Sequence, residues 1–274
     1  MNKNLIPLFI FTVFALSAAL LFLFTGNFFY IFNFIYIGFV VAAGIHLMAS
    51  KFEYGRLMVQ VGVGSYMFLY LGIFMAENMQ IEGFWYYLFL GTFQSAVIHY
   101  FVAKIFGPLF FGRGWCGYAC WTSMVLDMLP YRGSGGRRHG WLGLVKYVLF
   151  FLAPVLAWSV IKIFRDPDTV IFWAFIGGNI AYYGIGVALA AALMDNRAFC
   201  KYICPVSIIL KLSSYFSVLR VKFEKSKCKN CMKCLMECPM DVDMRSSERR
   251  KINGTECILC MRCLFSCPGG ALYI

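Results

Sequence analysis

The stretch CKNCMKCLMECP, residues 228–239, is repeated in its cysteine spacing by CILCMRCLFSCP at residues 257–268. Both read CxxCxxCxxxCP, with three cysteines at intervals of three residues and a fourth directly before a proline. The chain of 274 residues has 12 cysteines, and the four outside these runs form two CxxxC pairs. Because a disulfide scaffold would scatter its cysteines, this spacing indicates metal ligation in a reducing compartment.

The two runs have the spacing that binds cubane clusters. Three thiolates at i, i+3 and i+6 can hold three iron corners of one [4Fe–4S] cube, as in bacterial ferredoxins, and the fourth cysteine ligates the other cluster. We therefore predict two clusters with the ligand sets Cys228, Cys231, Cys234, Cys267 and Cys257, Cys260, Cys263, Cys238. Two zinc sites are the alternative, although zinc favours separated CxxC knuckles. Two clusters in one small domain indicate electron transfer.

The chain as a whole is strongly apolar. It is 61% hydrophobic and 14% charged, with a mean hydropathy of +0.71, whereas about a quarter of the residues in a soluble domain are charged. Apolar runs of about 18 residues or more indicate membrane spans. We predict six spans, at residues 5–25, 28–50, 57–76, 84–106, 142–163 and 170–194. The first run is longer than a signal-peptide core, so we interpret it as a retained span.

The predicted fold is a membrane all-α helical bundle of about six transmembrane helices, followed by a small α+β ferredoxin-like domain. Residues 1–218 form the bundle with both CxxxC pairs, and residues 219–274 form the domain of two [4Fe–4S] clusters. Apolar residues alternate before and after the cysteine runs and predict a small β-sheet. They are Leu219, Val221, Phe223, Ala271, Leu272 and Ile274.

Lysines and arginines near the span ends set the expected orientation. Those on one side are Lys3, Lys51, Arg56, Arg113, Arg132, Arg137, Arg138, Arg197 and Lys201. The opposite loops hold Arg165, with Lys162 just inside a span. We therefore predict a cytoplasmic (inner) membrane protein whose N-terminus, CxxxC pairs and ferredoxin domain face the cytoplasm. The basic segment 196–255 fits anionic membrane lipid or an acidic redox partner, and no motif predicts nucleic-acid binding.

The two CxxxC pairs are Cys116 with Cys120 and Cys200 with Cys204, and each pair follows an apolar run. On a helix, residues i and i+4 share a face, with Cβ atoms about 5–6 Å apart, which suits two ligands of one centre. The two pairs together can supply four thiolates to an iron–sulfur cluster, a single iron or a zinc ion at the cytoplasmic edge. Redox-active thiols and small buried packing residues are the alternatives.

Two histidines, His46 and His99, lie inside predicted spans, toward their cytoplasmic ends. Ionisable residues within spans are costly and mark candidate functional sites. They can contact a quinone ring, serve as axial ligands of a b-type haem, or simply satisfy backbone carbonyls. The absence of a CxxCH sequence argues against covalently attached c-type haem.

The segments GRGWCGYACWTSMVLDMLP (112–130) and CKYICPVSIILKLSSYFSVLRV (200–221), together with the cysteine-rich tail, resemble the NapH-type membrane polyferredoxins. NosR-type proteins and the oxidase-assembly protein CcoG share the signature more loosely. The resemblance covers roughly residues 84–274. It implies an electron-transfer subunit of a quinol dehydrogenase or another oxidoreductase complex. The family's pairs read CxxxCP; here Pro205 follows the second pair, but Trp121 follows the first.

Two functions remain open from the sequence. The first is a relay between the membrane quinone pool and a redox protein partner in a respiratory complex, through the two [4Fe–4S] clusters and a CxxxC-held metal centre. The second is an assembly or regulatory factor for a respiratory enzyme, in which the CxxxC cysteines reduce a metal or a thiol. The second function requires exposed cysteines with a lowered thiol pKa.

Overall fold

The computed structural model describes residues 5–50, 52, 54–93, 95–131, 140–245 and 255–274, which form a mostly helical molecule. In chain order the helices are α1 (Leu5–Thr25), α2 (Phe28–Ala49), α3 (Gly55–Phe74), α4 (Ile81–Phe89), α5 (Ala96–Phe111), α6 (Gly114–Tyr118), α7 (Trp121–Asp127), α8 (Trp141–Ile163), α9 (Pro167–Leu193), α10 (Ala198–Tyr202), α11 (Val206–Ser214), α12 (Lys233–Met236) and α13 (Arg262–Ser266). The strands are β1 (Lys222–Phe223) and β2 (Leu272–Tyr273).

Five of the described helices, α1, α2, α3, α8 and α9, are long and apolar enough to cross a membrane. Helix α1 is apolar on all faces, which in an exposed helix is typical of a lipid-facing segment. It turns into α2 at Gly26, whose φ of +67° is accessible to glycine at little cost. Asn27 then caps α2 by accepting a hydrogen bond from the Phe29 N–H at 2.9 Å.

The span predicted over residues 84–106 is not one continuous helix. Helix α4 ends at Phe89, the chain turns through Gly91 at φ +67°, and the shorter apolar helix α5 begins at Ala96. Hydrophobicity alone did not reveal this break because the apolar composition continues across it. The sequence therefore overestimated the length of this helix.

The segment between α3 and α4 is buried although it is not helical. Asn78, Met79 and Gln80 are at most 3% exposed. The Asn78 Oδ1 accepts a hydrogen bond from the Gln80 N–H at 2.9 Å, and its Nδ2 donates to the carbonyl of Ile171 in α9 at 3.0 Å. Non-helical backbone inside an apolar bundle needs such partners. Helix α4 therefore begins inside the bundle.

Two buried clusters hold the molecule together. The first lies among helices α3, α4, α5, α8 and α9 and includes Tyr100 and Phe175. The second joins the CxxxC segments to the cysteine-rich tail. In the tail, β1 pairs antiparallel with β2, with Phe223 opposite Leu272. This pairing confirms the expected small sheet, although each strand has only two residues.

Five basic residues that set the expected orientation lie outside the described residues. They are Lys3, Lys51, Arg132, Arg137 and Arg138.

Candidate functional site

Each predicted set of four tail cysteines lines one cavity. The first cavity is lined by Cys228, Cys231, Cys234 and Cys267. The second is lined by Cys238, Cys257, Cys260 and Cys263. All eight are free thiols, so four sulfur donors surround each space. This donor chemistry fits a cubane cluster, with the fourth ligand of each set coming from the other run.

The two cysteine runs share an unusual backbone conformation. Asn230 and Met232 in the first run, and Leu259 and Met261 in the second, have φ between +52° and +64°. They occupy the same positions relative to the first cysteine of each run. Positive φ is uncommon outside glycine and clusters at functional sites. Alternation of right- and left-handed residues turns successive N–H groups inward, which creates a concavity suited to an anionic group.

Backbone N–H groups also donate to the cysteine sulfurs. The Val242 N–H donates to Cys238 Sγ at 3.3 Å, and the Ala271 N–H donates to Cys267 Sγ at 3.3 Å. Hydrogen bonds to cluster sulfurs are among the features that set a cluster's reduction potential. Each tail cavity therefore combines thiol donors with amide dipoles directed at them.

We expected the two cysteines of each CxxxC pair to share one helical face, but in the structure they do not. Helix α6 contains Cys116 but ends at Tyr118, and Cys120 has an extended conformation directly before α7. Helix α10 contains Cys200 and ends at Tyr202, before Cys204. In both segments one helical turn ends between the two cysteines. The second cysteine of each pair therefore lies at the start of a new helix, where the chain direction changes.

The structure nevertheless brings the four CxxxC thiols into electrostatic interaction. Burial raises the pKa of Cys204, and the nearby thiols of Cys200, Cys116 and Cys120 raise it further. Burial also raises the pKa of Cys200 to about 12, with Cys116 and Cys120 acting in the same sense. No three Cys, His, Asp or Glu side chains within the described ranges are placed to ligate a single metal ion.

An arginine precedes each pair and directs its charge at the sulfurs. Arg113 Nη2 lies 4.0 Å from Cys116 Sγ, and Arg197 Nη1 lies 3.9 Å from Cys200 Sγ. Both arginines are fully buried. Two fixed positive charges beside four thiols would stabilise a centre that carries net negative charge. This arrangement favours a thiolate-ligated centre over plain apolar packing.

Buried acids balance these arginines, and the sequence did not predict these pairings. Asp127 lies 2.8 Å from Arg56 and 2.5 Å from Arg197, while Glu256 of the tail pairs with Arg113. The signal that was available was the presence of charged residues beside apolar runs. The partners in all three pairs lie 70 or more residues apart in the sequence, so spacing could not reveal the pairing.

The two span histidines occupy different surroundings. His99 packs edge-on against Trp115, with ring centroids 4.5 Å apart, and its buried Nε2 lacks a hydrogen-bond partner among the described residues. His46 is exposed near the end of α2. No hydrogen bond or ring contact in the described part of the chain joins the two. A haem ligated by both histidines therefore stays a prediction from the sequence.

Two family models match the chain. A 4Fe-4S dicluster domain matches residues 227–272, and a 4Fe-4S binding domain matches residues 96–137 and 180–225. Each segment of the second match contains one CxxxC pair. No solved structure matches the chain.

Several curated proteins are similar to it. The methylamine utilization ferredoxin-type protein MauN of Methylobacillus flagellatus is 27% identical over 56% of this chain and 58% of its own length. The ferredoxin-type protein NapH of Haemophilus influenzae is 25% identical over 56% and 54%. The putative electron transport protein YccM of Escherichia coli is 24% identical over 56% and 48%. The chain spans about half the length of the curated relatives it matches. Together, these matches support a NapH-type polyferredoxin: the chain is similar to ferredoxin-type proteins and to a putative electron transport protein, and it matches two models of 4Fe-4S binding domains.

Proposed function

We propose that the chain is a membrane-bound relay that exchanges electrons between the quinone pool and a redox partner in a respiratory complex. The supporting observation is the direct packing of a CxxxC segment on the second cysteine run. The Tyr118 hydroxyl donates to the carbonyl of Leu259 at 2.8 Å. A Cβ on Gly117 would lie 2.3 Å from the carbonyl oxygen of Ile258. The glycine therefore permits a close approach between the two predicted centres.

Two buried ion pairs also join the CxxxC segments to the tail. Arg113 pairs with Glu256, and Lys201 pairs with Asp241 at 2.5 Å. In each pair the basic residue belongs to a CxxxC segment and the acid belongs to the tail. Buried pairs tolerate little misalignment, because separating them leaves an uncompensated charge. They fix the CxxxC segments at a constant position relative to the tail cavities.

We propose that the four CxxxC cysteines hold a third iron–sulfur centre, between the bundle interior and the two tail clusters. The bound clusters would supply one-electron redox chemistry. The residues of this chain hold the clusters, exclude water and set the surrounding charge. Cys116 and Cys200 are only 6% and 5% exposed, and Arg113 and Arg197 provide the compensating charge. The order would be CxxxC centre, then the Cys257 set, then the Cys228 set.

The proposal includes the membrane placement. Helices α1, α2, α3, α8 and α9 would span the bilayer, and the shorter α5 would complete a sixth crossing. The CxxxC segments and the tail would then face the cytoplasm, with residues 219–274 as the dicluster domain. In this arrangement the segment 75–89 enters the bundle and leaves it on the same side.

The alternative role in assembly or regulation receives less support. Thiols that reduce a metal or another thiol need access and a lowered pKa. Cys200 is buried, and burial raises its pKa to about 12, although the Arg197 charge acts in the opposite direction. We therefore favour ligation of a centre by these cysteines. His46 has no described contact that assigns it a role in the relay.

Iron and acid-labile sulfide, measured anaerobically on the full chain, test the third centre. Three cubanes would give roughly 12 iron atoms per chain, and the double variant Cys120→Ser, Cys204→Ser would retain roughly eight. A matched variant of the exposed tail ligand, Cys231→Ser, should lose iron from a tail cluster while the CxxxC signal persists in electron paramagnetic resonance. Equal iron content in the wild type and the CxxxC variant would contradict the third centre.

A quinol assay tests the relay itself. A reduced naphthoquinone, menadiol, should reduce the clusters of the wild-type chain in detergent or nanodiscs, as followed by bleaching of the cluster absorbance. Failure of both menadiol oxidation and menadione reduction, with clusters that dithionite still reduces, would contradict the relay.

A further inference from the structure

A set of buried and half-buried polar side chains lies inside the bundle, next to the CxxxC cysteines, and none of the features above uses it. It comprises Glu82 in the first turn of α4, and His99, Tyr100 and Lys104 on α5. We call these four residues the inner polar cluster. Ionisable groups within an apolar bundle are costly, so each one needs a partner or a function.

Lys104 is the central member of this cluster. Its side chain is buried, with the residue 3% exposed, and its Nζ lies 3.5 Å from the centroid of the Tyr100 ring and 3.5 Å from the Met79 carbonyl oxygen. Its charge interacts with Glu82 and also with the thiols of Cys120 and Cys204. Lys104 therefore connects the polar cluster electrostatically with the proposed third centre.

The other members carry polar atoms without partners. The Glu82 Oε2, the His99 Nε2 and the Tyr100 hydroxyl are buried and make no hydrogen bond to any described residue. The neighbouring Trp85 Nε1 is also buried and makes no hydrogen bond to a described residue. An unpaired buried polar group costs about 1–3 kcal/mol. Several in one place indicate a site that is completed by a bound molecule.

The local backbone is also irregular at this point. Helix α4 begins at the buried residue Ile81, so its first turn lies inside the bundle. In α5, residues Tyr100–Phe106 form a wider π-helical segment, which is rare and frequent at functional sites. Both irregularities occur where the unpaired atoms lie. Broken helices of this kind often line ligand sites within bundles.

An apolar face of α5 offers access from the side. His99 is partly exposed, and Val102 and Phe106, which follow it at helical spacing, are 54% and 56% exposed. This face carries no charged residue. A molecule dissolved in the hydrocarbon layer could reach the inner polar cluster past these side chains.

We infer that the inner polar cluster binds the ring of a quinone, with the Glu82 carboxylate and the His99 imidazole as the groups that exchange its protons. The inference rests on the proposed relay. A quinone ring has two carbonyl oxygens that accept hydrogen bonds, and the Tyr100 hydroxyl and the Lys104 ammonium are donors. The apolar ring would stack among the aromatic residues around Tyr100, such as Phe84, whose centroid is 4.7 Å away.

The step balances as follows. In hydroquinone oxidation two O–H bonds break, one proton goes to the Glu82 carboxylate and one to the His99 imidazole. The clusters that the CxxxC cysteines and the two tail sets would hold would supply the one-electron acceptors, so the two electrons would leave one at a time and one would reach each tail set. Reduction of quinone runs in reverse. The Lys104 charge stabilises the unprotonated form of the Glu82 carboxylate.

The substitution Glu82→Gln, which keeps the shape but cannot accept a proton, tests this inference in the full chain with clusters bound. Menadiol-driven cluster reduction should slow by about 100-fold, the usual contribution of a positioned proton acceptor. Menadione binding, measured by quenching of tryptophan fluorescence, should be unchanged, and so should reduction by dithionite. Glu82→Asp should recover much of the rate. The control Asp166→Asn changes an exposed acid at the start of α9 and keeps a capping residue, so it should behave as the wild type.

A second variant keeps the test decisive if Glu82→Gln fails to fold. His99→Gln should weaken menadione binding by roughly tenfold, the loss expected for about one hydrogen bond, and should slow menadiol-driven reduction. If the wild type reacts with menadiol and both variants react and bind as it does, the inference is overturned while the relay stands. If the wild type does not react at all, the relay itself fails.

Discussion

Asp127 lies between two buried arginines at the point where the CxxxC segments meet. Burial alone would raise the pKa of this carboxyl group, but the charges of Arg197 and Arg56 outweigh burial and lower the pKa. Arg197 Nη1 also donates to the carbonyl of Cys116 at 2.9 Å, and Arg56 Nη1 donates to the carbonyl of Gly117 at 2.9 Å. One carboxylate therefore holds two arginines that fix the first CxxxC segment.

The substitution Asp127→Asn should destabilise the protein by about 3–5 kcal/mol, because it leaves two buried arginines without their shared acid. The measurement is the thermal unfolding of the cluster-loaded chain in detergent. Asp243→Asn provides the control, since Asp243 pairs with Arg245 at an exposed position and such surface pairs contribute at most about 1 kcal/mol. Equal melting temperatures for both variants would contradict the role of Asp127.

The ion pairs of Asp127 with Arg197 and Arg56 make the stability of the protein depend on pH, and the sign of this dependence is defined. Because the folded-state pKa of Asp127 is below its unfolded value, its stabilisation is fully present above the unfolded pKa of about 3.9. It is lost as the pH falls through the folded-state pKa. The difference in stability between the wild type and Asp127→Asn should thus be constant near neutral pH and shrink below about pH 4. A difference that shrinks at neutral pH would contradict this assignment.

At the scale of elements, the docking of α6 on the second cysteine run depends on a missing side chain. A Cβ at position 117 would lie 2.3 Å from the Ile258 carbonyl oxygen, and backbone atoms cannot simply rotate away as a flexible side chain does. The paired contact of Tyr118 with Leu259 holds the same surfaces together. The absence of a side chain at position 117 therefore permits the close approach of the two proposed centres.

The substitution Gly117→Ala should move the tail away from α6 and slow electron transfer from the CxxxC centre to the tail clusters. Iron content should remain, because no ligand is altered. The measurement is the rate of menadiol-driven reduction together with trypsin cleavage of the tail. Gly184→Ala is the matched control, since a Cβ at position 184 in α9 meets nothing within 4 Å. Unchanged rates and cleavage in Gly117→Ala would show that this contact does not position the tail.

At the scale of the whole molecule, the bundle and the tail differ in what stabilises them. The bundle is held by long apolar helices and an extensive aromatic core. In the described residues of the tail, 219–245 and 255–274, there are two two-residue strands, short helices and left-handed loop residues around the cysteines. So little regular structure implies that bound clusters contribute much of the folding free energy of the tail, because metal binding to the folded state is linked to folding.

Removal of iron with a chelator under air should therefore expose the tail to protease and leave the bundle intact. The measurement is limited trypsin digestion with mass spectrometry, in which early cleavages should fall within residues 222–274. The untreated protein is the control. Equal cleavage of the bundle and the tail after chelation would contradict the assignment.

The sequence by itself determined the composition class and the apolar helices, and it predicted the two sets of four tail cysteines, each of which lines one cavity. Those features depend on local spacing and hydrophobicity, which persist whatever the rest of the chain does. It also predicted the small sheet, since alternating apolar residues flank the runs. It failed at the span 84–106, because a break within an apolar stretch leaves the hydrophobicity unchanged.

Only the tertiary structure decided which distant groups meet. The pairing of Asp127 with Arg197, the contact of Gly117 with Ile258 and the gathering of Glu82 beside Lys104 join residues from separate elements. Such contacts follow from the packing of the helices rather than from local spacing, and a single sequence carries no local signal for them. The electrostatic surroundings of the CxxxC cysteines, and therefore the case for a third centre, belong to this second group.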